Sequence, residues 1–129
     1  MNHQLIMRAQ HYYEQSQQAE EQLVQVQEQL RHLGEFQKSL TLFEKPAHKE
    51  IFAALGRGIF FPAEIKGNEM LVDVGAGVFV KKTVAQAHIL VEKQIKRLHE
   101  LKQTLQSLID SLTVELESLA RELEKMRHV

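Results

Sequence analysis

The sequence predicts an α+β chain in which a long antiparallel two-helix coiled coil is joined by two β-hairpins. Apolar residues recur every three to four positions toward both ends, the hydrophobic period falls to two between them, and glycine pairs punctuate that middle segment. A chain of 129 residues fits one domain. We expect its first helix within 1–44, the hairpins within 45–82 and the second helix within 83–129.

The first helix is predicted by apolar residues that alternate spacings of four and three. A mean period of 3.5 residues keeps one seam of a helix against a partner helix. Among the eleven seam positions, only Ser16 and Gln37 are not apolar. We expect Pro46 to end this helix. The seam positions are Leu5, Ala9, Tyr12, Ser16, Ala19, Leu23, Val26, Leu30, Leu33, Gln37 and Leu40.

The second helix is predicted by an apolar residue at every seventh position. These residues are Val84, Val91, Leu98, Leu105, Leu112, Leu119 and Met126. The positions four further on are His88, Ile95, Lys102, Ile109, Leu116 and Leu123. Together they predict a seam from Val84 to Met126, and we expect Leu101 and Leu108 to widen it around Lys102.

A capping box is predicted to start the second helix. The Thr83 hydroxyl can accept a hydrogen bond from the amide of Gln86, and the Gln86 side chain can accept one from the amide of Thr83. The helix is therefore expected to begin at Val84.

Four short β-prone runs lie between the helices, at 51–55, 59–65, 70–74 and 78–81. Two of the turns between them repeat each other, because LGRGIF at 55–60 matches VGAGVF at 74–79 at an offset of 19 residues. The repeat predicts one strand-turn-strand unit used twice. Pro62 lacks a backbone donor, so its strand is expected to be an edge strand or to be bulged.

The glycine pairs predict tight turns rather than a phosphate-binding loop. A dinucleotide fingerprint needs a third glycine and a following helix, but Val80 stands at that position within a predicted strand. A Walker loop needs Gly-Lys-Ser/Thr after a longer glycine span, which is also absent. Glycine supplies the positive φ that hairpin turns and bulges require.

Composition excludes several classes of function. A net charge of −1, from 16 basic and 17 acidic residues, is not that of a nucleic-acid or anionic-membrane binder. With no cysteine and no long apolar window, we expect a soluble cytoplasmic protein. The seven histidines form no H-x-x-x-H pair, and no nucleophile is paired with a base, so we expect no metal, no cofactor and no catalytic residue: the chain is predicted not to be an enzyme.

The predicted strands carry more apolar surface than one helical hairpin can cover. A lone two-stranded hairpin is marginal in water, so we expect these hairpins to join strands from other chains. The residues assigned to this assembly surface are Ile59, Phe60, Phe61, Leu71, Val72, Val74, Gly75, Gly77, Val78, Phe79 and Val80.

The segment MLVDVGAGVFVKKTVAQAHILVEKQIKRL at 70–98 resembles the second hairpin and following helix of the alpha class of the prefoldin family. In that class a Val-x-Val-Gly-x-Gly unit leads through a Lys-Thr pair into a helix with alanine near its start. The layout of nearly the whole chain is similar to that family. The doubled hairpin points to the alpha class, since the beta class has one hairpin.

The resemblance implies an ATP-independent chaperone subunit. Two alpha and four beta subunits would form a hexamer whose strands build an intersubunit β-barrel platform. The coiled coils would bind unfolded or nascent polypeptides and pass them to a group II chaperonin. From the net charge of −1 we expect no nucleic-acid or membrane partner. The alternative is a prefoldin-like adaptor or scaffold in a transcription or assembly complex, or a filament.

The distal helix ends are the predicted client-binding site. A helix of about 40 residues is about 60 Å long, which would place the chain termini far from the hairpins. The residues assigned to client binding are Leu5, Ile6, Met7, Tyr13, Leu119, Leu123 and Met126. Packing along the seam is the alternative for Leu5, Tyr12, Leu119 and Leu123, whereas Ile6, Met7 and Tyr13 lie off the seam.

Overall fold

The computed structural model describes residues 2–44 and 50–127 and confirms the predicted order of elements. Two long helices bracket four short strands. The elements are α1 (Asn2–Thr41), β1 (Glu50–Gly56), β2 (Ile59–Glu64), β3 (Glu69–Gly75), β4 (Val78–Thr83) and α2 (Val84–Arg127). None of the helices described is long and apolar enough to cross a membrane.

The predicted helix seams are confirmed by the pattern of burial. All eleven seam positions of α1 are buried or half-buried, and Gly34 is the only other described α1 residue that is not exposed. The α2 seam is likewise covered, except for Met126. The expectation that Leu101 and Leu108 widen this seam is wrong, since they are 45% and 44% exposed. Each lies three residues after one covered seam residue and four before the next, so it flanks the seam and its outer side stays open to solvent.

The chain forms two compact units. One comprises Met1–Arg31 with Lys96–Val129, and the other comprises His32–Ile95. In the first, Ala19, Val26 and Leu105 form a buried cluster. Four further side chains pack against this cluster: Leu23, Leu30, Leu98 and Ile109.

The unit of residues 32–95 has its own core, built from Leu40, Ala87 and Val91. Met70, at the start of β3, packs against this cluster together with Leu33 and Ile95. The backbone N–H of Val84 also donates to the carbonyl oxygen of Asn68, with the two atoms 3.2 Å apart. The side-chain contact of Met70 and the backbone hydrogen bond of Val84 therefore attach the start of strand β3 to the helices.

The predicted capping box is present at the start of α2. The Gln86 N–H donates to Thr83 Oγ1 over 3.2 Å, and the Thr83 N–H donates to Gln86 Oε1 over 3.0 Å. At the junction between α1 and β1, the helix ends at Thr41 and the chain forms a turn through Glu44. Pro46, predicted to end that helix, lies outside the described residues.

The strands form two separate antiparallel hairpins, β1–β2 (hairpin 1) and β3–β4 (hairpin 2). Their registers are the same at the offset of 19: Glu50 faces Glu64 as Glu69 faces Thr83, and both registers shift one residue before the turn. Pro62 lies opposite Phe52 in a sheet of two strands, so β2 is an edge strand as predicted.

The two turns have the same backbone conformation. The φ angles are 111°, 53° and 76° at Gly56, Arg57 and Gly58, and 110°, 52° and 74° at Gly75, Ala76 and Gly77. Positive φ at both central residues is the requirement of a two-residue type I′ turn. The glycines therefore shape hairpin turns, and the repeat seen in the sequence is a repeat in structure.

Candidate functional site: the apolar hairpins and the helix ends

Hairpin 1 exposes large apolar side chains on both faces. Phe52 and Phe61 belong to adjacent cross-strand pairs and so lie on opposite faces, and they are 74% and 62% exposed. Phe60, Leu55 and Ile59 are also exposed. No side chain of this hairpin belongs to a buried cluster within residues 2–44 and 50–127. Exposed apolar surface of this extent indicates an interaction site.

Hairpin 2 has one half-buried face and one exposed face. The pairs Met70–Lys82 and Val72–Val80 are half-buried, whereas Leu71, Lys81 and Phe79 on the other face are exposed. Val74 and Val78 near the turn are exposed as well. The half-buried face includes the Met70 contact with the helices, so the outer face is the one left open.

Nine of the eleven residues assigned to the assembly surface are exposed in the isolated chain. Val72 and Val80 are the half-buried pair. The exposed nine are Ile59, Phe60, Phe61, Leu71, Val74, Gly75, Gly77, Val78 and Phe79. They are available to a partner, and their role in assembly stays a prediction.

A groove beside hairpin 2 was not foreseen from the sequence. It has a volume of about 460 Å³ and lies between the end of α1, the start of α2 and β3. Phe36, Phe43 and Leu90 line it and are 50%, 38% and 40% exposed. The available signal was the seven-residue spacing of Phe36 and Phe43, three positions after the seam residues Leu33 and Leu40.

The residues assigned to client binding divide by exposure. Ile6, Met7, Tyr13 and Met126 are between 42% and 57% exposed. Leu5 and Leu123 are half-buried, and Leu119 is buried at 3%. The packing alternative accounts for Leu119, while the off-seam residues are open to solvent. Client contact by any of them stays a prediction.

A charged cluster accompanies the same helix ends. The Tyr12 hydroxyl, hydrogen-bonded to the Arg8 guanidinium, raises the pKa of Arg8, and the charges of Glu122 and Glu115 raise it further. Early α1 residues thus lie near late α2 residues, which confirms antiparallel helices within this unit. Arg8 remains a fixed cation beside the exposed Ile6 and Met7.

In the part of the chain that the structure describes, few polar side chains are grouped as a metal or catalytic site would require. No group of three or more His, Cys, Asp or Glu there could hold a metal ion. His88 Nε2 lies 2.7 Å from Glu44 Oε1, an ion-pair distance if the imidazole is protonated, although the atoms are not aligned as a hydrogen bond. One such pair supports a helix junction and does not form a catalytic site.

Two long helices, each with a covered apolar seam, and two apolar β-hairpins between them in the chain define a class of coiled-coil proteins with inserted hairpins. The family described as "Prefoldin subunit" matches residues 12–127. The chain belongs to the prefoldin family. Prefoldin is a family of chaperones rather than enzymes, which fits the prediction that the chain is not an enzyme.

Two curated relatives identify the subunit type. The chain is 37% identical to prefoldin subunit alpha 2 of Thermococcus kodakarensis over 87 residues, covering 67% of the chain and 61% of that relative. It is 30% identical to prefoldin subunit alpha of Archaeoglobus fulgidus over 88 residues, covering 67% and 64%. The match thus spans less than two thirds of either relative. Both are alpha subunits, and the chain is of the alpha type.

A solved structure shares the fold. The chain superposes on filamentous PFD from Methanocaldococcus jannaschii with a TM-score of 0.73, covering 90% of the chain and 98% of that structure. The sequence identity is 18%, so this likeness concerns the fold alone.

Proposed function

We propose that this chain is a subunit of an ATP-independent chaperone that binds unfolded or nascent polypeptides, prevents their aggregation and transfers them to a group II chaperonin. In the proposed assembly, two such chains combine with four beta subunits through the β-hairpins. The observation that carries the proposal is the exposure of large apolar residues on both hairpins of a prefoldin chain.

The hairpins supply enough apolar surface to drive association. Nine of their large apolar side chains are more than half exposed. Covering one such side chain contributes roughly 1.5–3 kcal/mol if burial is complete. Burial of all nine would contribute a free energy comparable to the roughly 4–15 kcal/mol that association costs in lost translational and rotational freedom. Assembly through the hairpins is therefore energetically reasonable.

The helix ends supply a surface suited to varied clients. Ile6, Met7 and Tyr13 lie off the covered seam of α1 and are exposed. Methionine is flexible and polarisable, so it adapts to irregular apolar surfaces. This supports client binding by contact with exposed apolar residues, with no need for a nucleotide site.

The direct experiment mixes the chain with a prefoldin beta subunit and measures the native mass and the aggregation of a denatured client without ATP. A mixed complex that suppresses aggregation and releases the client to a group II chaperonin is expected. A chain that binds one folded partner and leaves client aggregation unchanged would be an adaptor. A homo-oligomer whose mass grows with concentration would be a filament, the form reported for the structural neighbour.

The client site is tested by replacing Ile6, Met7 and Tyr13 with serine in one variant. Aggregation suppression should fall severalfold while the mass of the complex is unchanged. Val24→Ser is the matched control, because Val24 is 64% exposed on the same helix but lies outside the predicted client site. Equal suppression by the triple variant and the control would contradict this site.

A further inference from the structure

Arg8 marks one flank of the helix seam in the unit of residues 1–31 and 96–129. It is the third residue after the seam residue Leu5, and it interacts electrostatically with Glu115 and Glu122. Each of these glutamates is also the third residue after a buried leucine of the α2 seam. Because the seam repeats every seven residues, the third and sixth residues after such seam positions lie on this same flank along both helices.

The middle of this flank has no charged residue. Its α1 positions hold five glutamines, and its α2 positions hold two leucines, a threonine and a serine, all of them exposed. The other flank carries Glu20 and Asp110 over the same stretch, in a chain of which 26% is charged. We call the uncharged surface the glutamine flank, and it consists of Gln15, Gln18, Gln22, Gln25, Gln29, Leu101, Thr104, Leu108 and Ser111.

The glutamine flank combines apolar contact with hydrogen-bonding groups. Leu101 and Leu108 are 45% and 44% exposed and lie two helical turns apart, at a distance of about 10 Å along the axis. A glutamine side chain has two N–H donors and a carbonyl acceptor. Within residues 2–44 and 50–127, none of the five glutamine side chains of the flank has a hydrogen-bond partner. Their amides are therefore free to bind a ligand.

The backbone of an unfolded polypeptide has the complementary chemistry. It is neutral, and it presents N–H and C=O groups that a folded protein pairs within itself. The row from Gln15 to Gln29 is about 21 Å long, the length of about six residues of extended chain. Two half-exposed leucines offer far less surface than the roughly 800 Å² per partner of a stable protein interface. The surface therefore suits transient binding of a client better than a permanent contact with another subunit.

We infer that the glutamine flank is a second client site, at which glutamine amides bind the backbone of an unfolded segment while Leu101 and Leu108 contact its apolar side chains. Backbone recognition is independent of the client's sequence but requires that the client be unfolded. The site is separate from the helix-end site, because Ile6 and Tyr13 directly follow seam residues and so lie on the other flank. The inference rests on the proposed function and specifies the chemistry of the client that is recognised.

The first test measures the binding of a fluorescent, uncharged peptide of leucine, serine and alanine, about 12 residues long, by anisotropy. The chain is used alone and in its complex with beta subunits. Leu101→Ser combined with Leu108→Ser should weaken binding about fivefold or more, since both apolar contacts are lost. Val24→Ser combined with Val114→Ser is the matched control, because these valines are 64% and 63% exposed in the same unit but lie outside the flank. The inference is overturned if the leucine variant binds as the unmodified chain does, or if both variants bind equally weakly.

The second test separates amide hydrogen bonds from apolar contact. Methionine is close to glutamine in size but has no amide, so Gln22→Met combined with Gln29→Met makes the flank more apolar. A purely apolar site would then bind the peptide more tightly, whereas we expect binding to weaken severalfold. Gln10→Met combined with Gln27→Met is the control outside the flank. Unchanged or tighter binding by the variant in the flank would overturn the inference.

A change in the peptide provides the same test from the other side. Methylation of its backbone nitrogens removes the donors that the glutamine carbonyls would accept from. The unmodified chain should bind the methylated peptide severalfold more weakly than the parent peptide. Equal affinity for the two peptides would show that the backbone is not recognised and would overturn the inference.

Other occupants give different results. If Leu101→Ser with Leu108→Ser lowers the mass of the complex with beta subunits, a subunit covers the flank and the inference is wrong. If peptide binding is lost only when Ile6, Met7 and Tyr13 are replaced with serine, the helix ends are the sole client site and the inference is again wrong. Failure of the unmodified chain to join beta subunits would count against the proposed function, while peptide binding by the chain alone still decides the role of the glutamine flank.

Discussion

The two β-hairpins share a turn and a register but differ in what they contact. Hairpin 2 packs Met70 against the core formed by Leu40, Ala87 and Val91. Hairpin 1 exposes phenylalanines on both faces and contributes to no buried cluster of the described residues. The same strand-turn-strand unit thus packs against the chain's own core in hairpin 2 and leaves its large apolar side chains exposed in hairpin 1. Mutations in hairpin 2 should affect folding, and mutations in hairpin 1 should affect assembly.

The largest expected effect follows from placing charge on hairpin 1. Phe60→Glu combined with Phe61→Glu should weaken assembly with beta subunits by about 100-fold or more, because two buried aromatic contacts are lost. Thermal unfolding of the dilute, unassembled chain should change little. Native mass spectrometry measures the assembly, with Val24→Glu as the control. A loss of chain stability equal to the loss of assembly would break the comparison.

The next effect distinguishes the two hairpins by stability. Met70→Ala should lower the free energy of unfolding by about 2 kcal/mol, the lower end of the range for a buried methionine, since Met70 is only half-buried. Ile51 occupies the equivalent position in hairpin 1 at the offset of 19. Ile51→Ala should cost about 1 kcal/mol or less in the unassembled chain. Urea unfolding measures both, and equal losses would show that hairpin 1 also packs within its own chain.

The turns provide a smaller effect that should be the same in both hairpins. Ala76 has a φ of 52°, where a residue with a side chain is disfavoured by about 1–2 kcal/mol. Replacing it with glycine removes this strain, but the greater entropy of glycine in the unfolded chain offsets about 0.5–1 kcal/mol of the stabilisation. Ala76→Gly should therefore stabilise hairpin 2 by about 0.5 kcal/mol. Gly75→Ala, at a φ of 110°, should destabilise it. Unfolding midpoints test both, and stabilisation by Gly75→Ala would contradict the observed turn.

The smallest effect concerns a side chain that only one hairpin has. Asp73 Oδ1 accepts a hydrogen bond from the Gly75 N–H over 2.9 Å, and Ala54 stands at the equivalent position of hairpin 1. Asp73→Ala should cost about 0.5 kcal/mol, the low end for an exposed hydrogen bond. Ala54→Asp should provide hairpin 1 with the same bond. Amide exchange at Gly75 and Gly56 would report each change, and an unaltered rate at Gly75 would show that the bond is not maintained in solution.

The sequence predicted the helices and turns because each follows from a local rule. Burial along a helix repeats with the helical period, so the spacing from Leu5 to Leu40 identified the covered side of α1. The Gly-x-Gly repeat identified both turns because few residues other than glycine adopt their φ angles. The strands were predicted because the hydrophobic period falls to two between the helices.

The contact between hairpin 2 and the helices could not be predicted in the same way. Met70 and Ile51 are both apolar and occupy equivalent strand positions, so strand patterning does not show which of them packs on a helix. The groove requires Phe36, Phe43 and Leu90 to lie beside β3, which depends on the tertiary position of a strand and not on the period of either helix. For the same reason the groove was absent from the predicted site.

Amide hydrogen exchange of strand β2 tests the central claim most directly, namely that hairpin 1 is covered only by other subunits. The β2 amides should exchange rapidly in the dilute chain and at least about tenfold more slowly in the complex with beta subunits. The amides of α2 around Val91 should be protected in both states, since Val91 is buried within its own chain. Equal exchange of β2 in the dilute chain and in the complex would contradict the account.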